Sequence, residues 1–350
     1  MAGSKIAMAA LAGFAMLMGL ALYRTGSPAW TGQPSAARQT PPSPAPSSRQ
    51  DEFWSVRDPD TLPDDEWGRT VRLGRDLITR TATLIGPEVA DRNHRYAGNN
   101  LNCQSCHLDA GTKPFGNPLV GAFLDYPSYR ARSGKVGTIE DRIQGCMTRS
   151  MNGRTLPEGS PELTAITAYL RFLASGHRVG EARTGRGTGR MPELTRAADP
   201  VRGKSVYAST CAACHGENGL GMRTGAIGDA QGYAVPPLWG QDSYNDGAGM
   251  ARLIDSANFI HNNMPHGTTF EAPALSVEQA WDVAAYINSQ PRPHRDALDK
   301  DYPHREEKPV DSPYAPWADD FSPEQHRLGP FQPIRDALKQ RKAMPATQIN

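Results

Sequence analysis

The 350-residue chain is short of cysteine, of aromatic side chains and of net charge, and each shortage narrows what it can do. Its formal net charge of +1 argues against a bulk nucleic-acid partner or adhesion to a membrane surface by charge alone, so charge must act locally. There are only five cysteines. Four fall in the pentads Cys103-Gln104-Ser105-Cys106-His107 and Cys211-Ala212-Ala213-Cys214-His215, and no further cysteine pair remains to complete a tetrahedral zinc set. Long apolar runs are also scarce. Ile6 to Leu22 is uncharged and apolar behind Lys5, short for a membrane span and a little long for the core of an export signal. Residues 1–25 are therefore expected to be a signal peptide or a membrane anchor, with cleavage favoured. Both outcomes place the folded part in the periplasm, soluble or tethered to the inner membrane.

Cys-x-x-Cys-His is the attachment signature of c-type haem. Each pair of thiols adds across the haem vinyl groups, and His107 or His215 is placed to coordinate iron. A redox disulfide or half a zinc site is the competing reading of either pentad alone, but the histidine follows both times. Two covalent haems are expected, and covalent haem in each core is consistent with an aromatic content of 7%.

A rough internal repeat organises the chain. Each copy has a helix, a pentad, an irregular stretch with a candidate sixth ligand, and a closing amphipathic helix. In the first copy Val71, Gly74, Leu77 and Ile78 trace an apolar face ahead of Cys103. Ser160-Pro161-Glu162 opens the closing helix, whose stripe is Leu163, Ile166, Tyr169, Leu170 and Leu173. In the second, Asp199-Pro200 caps the first helix. Ser276 and Gln279 form a capping box ahead of Trp281, Val283, Ala284 and Ile287. The fold class is thus mainly α, with two tandem cytochrome c-type haem domains at 51–176 and 199–292. A Pro/Ser-rich tether at 26–50 precedes them, and a linker at 177–198, with arginines expected to be solvated, joins them. The tail at 293–350, with Tyr302, Tyr314, Trp317, Phe321 and Phe331, is expected to pack across both domains as an extended strap.

For the second haem, candidates opposite His215 are Met222, Met250, His261, Met264 and His266. Met264 is favoured because Pro265 fixes the backbone and a thioether is a soft iron ligand. For the first, the equivalent place holds Cys146 and Met147. Thiolate binds haem iron, whereas a buried structural thiol is the bland alternative for Cys146. Arg132, Arg142, Arg149 and Arg154, with Lys135 nearby, favour the thiolate. On a helix over 141–150, Arg142, Cys146 and Arg149 share one face, and neighbouring cations lower a thiol's pKa from about 8.5. An anionic ligand lowers that haem's potential, so electrons would enter at the Cys146 haem and leave through the Met264 haem.

These residues resemble a known family. Tyr129-Arg130-Ala131-Arg132, Arg142-Ile143-Gln144-Gly145-Cys146 and Arg149-Ser150-Met151-Asn152-Gly153 are similar to the active-site segment of the dihaem, tetrathionate-forming thiosulfate dehydrogenases. The similarity extends through Pro237-Leu238-Trp239-Gly240, Asn245 to Met250, Asn263-Met264-Pro265, Trp281 to Ala285 and Lys308-Pro309-Val310-Asp311. It implies oxidative coupling of two thiosulfates to tetrathionate, with His107 and Cys146 on the catalytic haem. It also implies a soluble cytochrome c or similar periplasmic electron acceptor. By position, Arg132, Arg142 and Ser150 match the family's substrate pocket. Some members carry lysine before the methionine ligand and exchange ligands on reduction. Asn263 stands there in this chain, so that exchange is not expected. The competing functions are a Sox-type haem subunit that conjugates thiosulfate to a carrier protein, and a dihaem electron carrier without catalysis.

Overall fold

In each half of the molecule, the helix that precedes the haem-attachment pentad lies against the helix that closes the domain. A computed structural model describes residues 53–343; the signal or anchor expected at 1–25 and the tether at 26–50 lie outside the described residues. Helix α1 (Glu66–Thr79) is N-capped by Asp65, which accepts from Gly68 N. Helix α2 (Ile139–Arg149) starts at a capping box in which Thr138 and Asp141 satisfy each other's backbone. Helix α3 (Pro161–Leu173) begins with Ser160 as N-cap and proline at its first position, and buries Leu163, Ile166, Tyr169, Leu170 and Leu173. Val71, Leu77 and Ile78 of α1 pack with these residues in the first core.

The second half repeats the plan. Helix α4 (Pro200–Val206) runs through a wider π turn at Tyr207–Cys211 into the short helix Ala212–His215, which carries the second pentad. Helices α5 (Leu253–Asn263) and α6 (Val277–Ser289) follow; the capping box of Ser276 and Gln279 opens α6. Two glycines make the repeat sterically explicit. A Cβ on Gly74 would lie 2.0 Å from Ala165 O, and one on Gly203 would lie 1.9 Å from Asp282 O. Neither distance is physically tolerable, so each pair of helices can approach this closely only because the first carries glycine there.

Strands are few. Strands β1 (Ser128–Arg130) and β2 (Lys135–Gly137) form an antiparallel ribbon with Tyr129 opposite Val136. Strands β3 (Met222–Arg223) and β4 (Tyr233–Val235) form the other. Among the described residues no helix is long and apolar enough to cross a membrane.

The described residues form one compact unit. Asn100 N donates to Asp242 Oδ1 at 2.8 Å, and Asn245 Nδ2 donates to Thr148 O at 3.0 Å, joining the two halves. Part of the 177–198 linker is pressed between them. Its Gly185 and Gly187 carbonyls accept from Phe115 N and Asn117 N, and Thr188 O accepts from Asn262 Nδ2. The expectation that its arginines are solvated fails at Arg183. That side chain is buried because Asp125 neutralises it at 2.6 Å.

The tail crosses both halves. Tyr302 N donates to Arg132 O in the first half. In the second, Asp311 accepts from Arg252 Nε and Nη2 at 2.8 and 2.6 Å. Lys308 is buried and donates to Tyr314 O and Pro316 O, with the rings of Tyr314 and Trp317 over its ammonium. The described part of the tail closes with two helices that the sequence reading does not anticipate, α7 (Pro323–Leu328) and α8 (Gln332–Ala343). Phe331 and Ile334 complete the second core beside Trp281 and Leu253.

Candidate active site

The two pentad histidines are oriented alike. His107 Nδ1 donates to Asn117 O at 2.6 Å, and His215 Nδ1 donates to Pro236 O at 2.9 Å. A carbonyl can only accept, so each bond keeps the proton on Nδ1 and leaves the Nε2 lone pair for a metal. Burial pushes the His215 ring below its ordinary pKa, against the opposing bond to Pro236, which favours the neutral form that ligates. None of the five cysteines is in a disulfide. Burial, the largest influence on each, raises Cys103 and Cys211 to about 11 and Cys106 to about 12. Free thiols beside a metal-ready histidine, twice over, fit covalent haem at both places.

Cys146 behaves differently. Burial would raise its pKa, but Arg142 and then His107 outweigh that influence and bring it to about 6. Arg142 sits one helical turn earlier on α2 and donates from Nη1 to Cys146 Sγ at 2.7 Å. Cys146, carried on this helix, and His107, from the first pentad, share the wall of one cavity of about 760 Å³, which Cys106, Asn117, Thr188 and Met250 also line. Met147, the neighbouring candidate, is turned into the first core with 1% exposure.

The other expected site residues separate into groups. Arg132, Arg142, Arg149 and Ser150 all line the cavity, as does Lys135 on β2. Ser150 is fixed at the end of α2, where its carbonyl accepts from Asn99 Nδ2 at 2.9 Å. Arg154 faces away, bonding Arg95 O and Asn93 O with its guanidinium over the Tyr96 ring. Arg132 and Arg149 are already engaged by the tail. Asp301 accepts from Arg149 Nη2 at 2.7 Å and from Arg132 Nη1 at 3.3 Å, and both arginines donate to Gly247 O. Asp301 and a further cavity arginine, Arg295, were not recognisable from the sequence. They meet α2 across 152 and 147 residues and belong to no periodic pattern.

In the second half, Met264 is partly buried against the second core, as are Cys211, Ala212 and Leu238. Met222 and His266 are exposed, His261 Nδ1 is engaged with Asn262 Oδ1, and Met250 faces the first cavity instead. Asn263 is 1% exposed and donates to Phe115 O and Phe259 O, which holds its amide in the protein interior.

Residues 93–179 match the family described as SoxA/TsdA, cytochrome c domain, and residues 200–291 match Cytochrome c. The thiosulfate dehydrogenase of Thiomonas intermedia (strain K12) is 42% identical over 233 residues, covering 66% of this chain and 69% of that protein. The chain belongs to the thiosulfate dehydrogenase family. Its relative in Stutzerimonas stutzeri (strain A1501), also a thiosulfate dehydrogenase, is 40% identical over 66% of this chain and 70% of its own length. A solved structure of thiosulfate dehydrogenase (TsdBA) from Marichromatium purpuratum, in its as-isolated form, superposes with a TM-score of 0.63 at 37% identity. The match covers 71% of this chain and 51% of that longer one. Family membership carries two tandem cytochrome c domains and two c-type haems into this chain.

Proposed function

We propose that this chain oxidises thiosulfate, coupling two molecules to tetrathionate at the Cys146 cavity and passing two electrons to an external acceptor. The observation that carries the reading is Cys146, beside His107 and bonded to Arg142 in a cavity rich in arginine. His107 and Cys146 would hold the first haem, and His215 and Met264 the second. Bound there, the haems supply acceptance of one electron each.

The protein's own task is to bring anions together. Two unit charges 4 Å apart repel by about 4 kcal/mol at the effective dielectric of a protein surface, and each thiosulfate carries two. Arg142 holds the Cys146 sulfur as thiolate and lies beside the place where the first sulfonate must rest. Arg132 and Arg149 offer forked donors on the wall beyond, and Ser150 adds a hydroxyl. The thiolate and the sulfane sulfur of one thiosulfate join in an S–S bond as two electrons leave. A second thiosulfate then attacks the outer sulfur of that adduct. Its S–S bond to the first sulfane sulfur forms, the bond to Cys146 breaks, and the electron pair returns to Cys146 as thiolate. No proton is required in either step. Splitting a three-body oxidation into two bimolecular ones is the gain from a covalent intermediate.

The acceptor proposed is a soluble cytochrome c or a similar protein, and the place of action is the periplasm, where c-type haem is assembled. The test is the purified chain with both haems, supplied with thiosulfate and ferric cytochrome c. Free tetrathionate should form in step with acceptor reduction. Product that appears only on a carrier protein's cysteine would indicate the Sox-type reaction, and no thiosulfate-dependent reduction would indicate an electron carrier.

A further inference from the structure

Three guanidinium groups, those of Arg132, Arg149 and Arg295, gather at the tail-side wall of the cavity around one carboxylate, Asp301. Arg132 and Arg149 both pair with it. Arg295 has no carboxylate within ion-pair distance among the described residues, and the bond its guanidinium makes is from Nη1 to Thr148 O at 2.8 Å. Its backbone is nevertheless fixed. Arg295 N donates to Asp246 Oδ1 at 2.9 Å, and Asp246 N donates to Pro293 O at 3.0 Å. Gly247 is the floor of this cluster: a Cβ there would lie 2.7 Å from Arg149 Nη1 and 2.9 Å from Arg295 Cδ. The cluster is thus a built site in which three guanidinium groups share the one carboxylate of Asp301, while the nearby Asp255 and Asp246 are paired with Arg252 and His294.

This cluster is distinct from the Cys146 end of the cavity. Arg142 Nη1 bonds Cys146 Sγ at 2.7 Å, whereas Arg132, Arg149 and Arg295 bond Gly247 O, Asp301 and Thr148 O. Burial and then the neighbouring Arg149 depress the pKa of Arg295, against the opposing influence of Asp301. A cation held beside two like charges without a full counter-charge is electrostatically unsatisfied, and an anion relieves it.

We propose that Arg295, together with Arg132 and Arg149, binds the sulfonate of the second thiosulfate, so that the tail supplies a separate subsite for the attacking substrate. The inference rests on the thiosulfate-coupling reading above and deepens it. The guanidinium of Arg295 has donors left over from Thr148 O, and a sulfonate offers oxygens to a planar fork as a carboxylate does. Anchored there, the second thiosulfate presents its sulfane sulfur toward the outer sulfur of the Cys146 adduct. Its attack forms the central S–S bond of tetrathionate, and the displaced electron pair goes to Cys146 Sγ. Asp301 is the positioning residue that keeps Arg132 and Arg149 side by side.

The test separates the two half-reactions in the haem-loaded protein. Adduct formation is followed by mass spectrometry of the Cys146 peptide, and its discharge by the release of tetrathionate on adding thiosulfate. In Arg295→Gln the thiosulfate concentration for half-maximal discharge should rise about tenfold, with less than a twofold change for adduct formation. Arg295→Lys, which keeps the charge without the fork, should recover part of the loss. Discharge unchanged within twofold would overturn the subsite, as would an equal weakening of both half-reactions. If the parent chain itself neither forms the adduct nor releases tetrathionate, the coupling reading falls and the subsite with it. A parent that turns over beside an unaffected Arg295→Gln removes the subsite alone.

Discussion

Arg142→Gln tests how the cavity activates sulfur. Arg142 Nη1 donates to Cys146 Sγ at 2.7 Å, a charge-assisted contact made from one turn away on the same helix. Hydrogen bonds to charged groups are worth about 1.5–3 kcal/mol. If that interaction serves the thiolate as it attacks the first thiosulfate and departs from the adduct, its loss lowers kcat/KM by about ten- to 150-fold at 1.4 kcal/mol per decade. The assay is initial-rate reduction of ferric cytochrome c against thiosulfate concentration, at fixed ionic strength because exposed charges are screened. Arg142→Lys should fall between the two, since a compact ammonium keeps the charge but not the fork. The haem spectrum and thermal melt of each variant show whether it is folded and loaded. A folded, fully loaded Arg142→Gln protein within threefold of the parent would refute the role assigned to this contact.

Two further substitutions test the frame around the site. Gly203→Ala places a methyl group 1.9 Å from Asp282 O. It should destabilise the second half by about 1–3 kcal/mol through overpacking, read from urea denaturation followed at the haem absorbance of that half. Asp311→Ala removes the acceptor of Arg252 Nε, Arg252 Nη2 and Ile254 N. Asp255 still holds Arg252 at 2.9 Å, so the cost should be about 3 kcal/mol, the low end for a broken buried pair, with limited proteolysis then cutting the tail first.

The sequence made the local features of this protein legible. The caps at Ser160 and Ser276 and the buried stripes of α3 and α6 follow from backbone hydrogen bonding and helical period, and those interactions span only a few residues. The pairing of Arg142 with Cys146 was legible for the same reason, as an i, i+4 contact within α2. Gly203 carried no periodic signal, because its importance lies in the carbonyl of a helix some eighty residues later. The same holds for Arg295 and Asp301, whose segment is irregular and makes its decisive contacts with α2 and Gly247. Arg183 was misread because an arginine in a glycine-rich linker is usually solvated, and its partner Asp125 stands fifty-eight residues upstream. Arg149 was placed on the right face, but the carboxylate that engages it comes from the tail.

The account stands on the sulfur of Cys146 being the atom that takes up the first thiosulfate. Cys146→Ala, purified with its haem content measured, tests this most directly in the cytochrome c reduction assay with thiosulfate. The account predicts that both haems remain attached, because Cys103, Cys106, Cys211 and Cys214 are untouched, while thiosulfate-dependent reduction falls to background. A fully loaded Cys146→Ala protein that still forms tetrathionate at a rate near the parent's would contradict it.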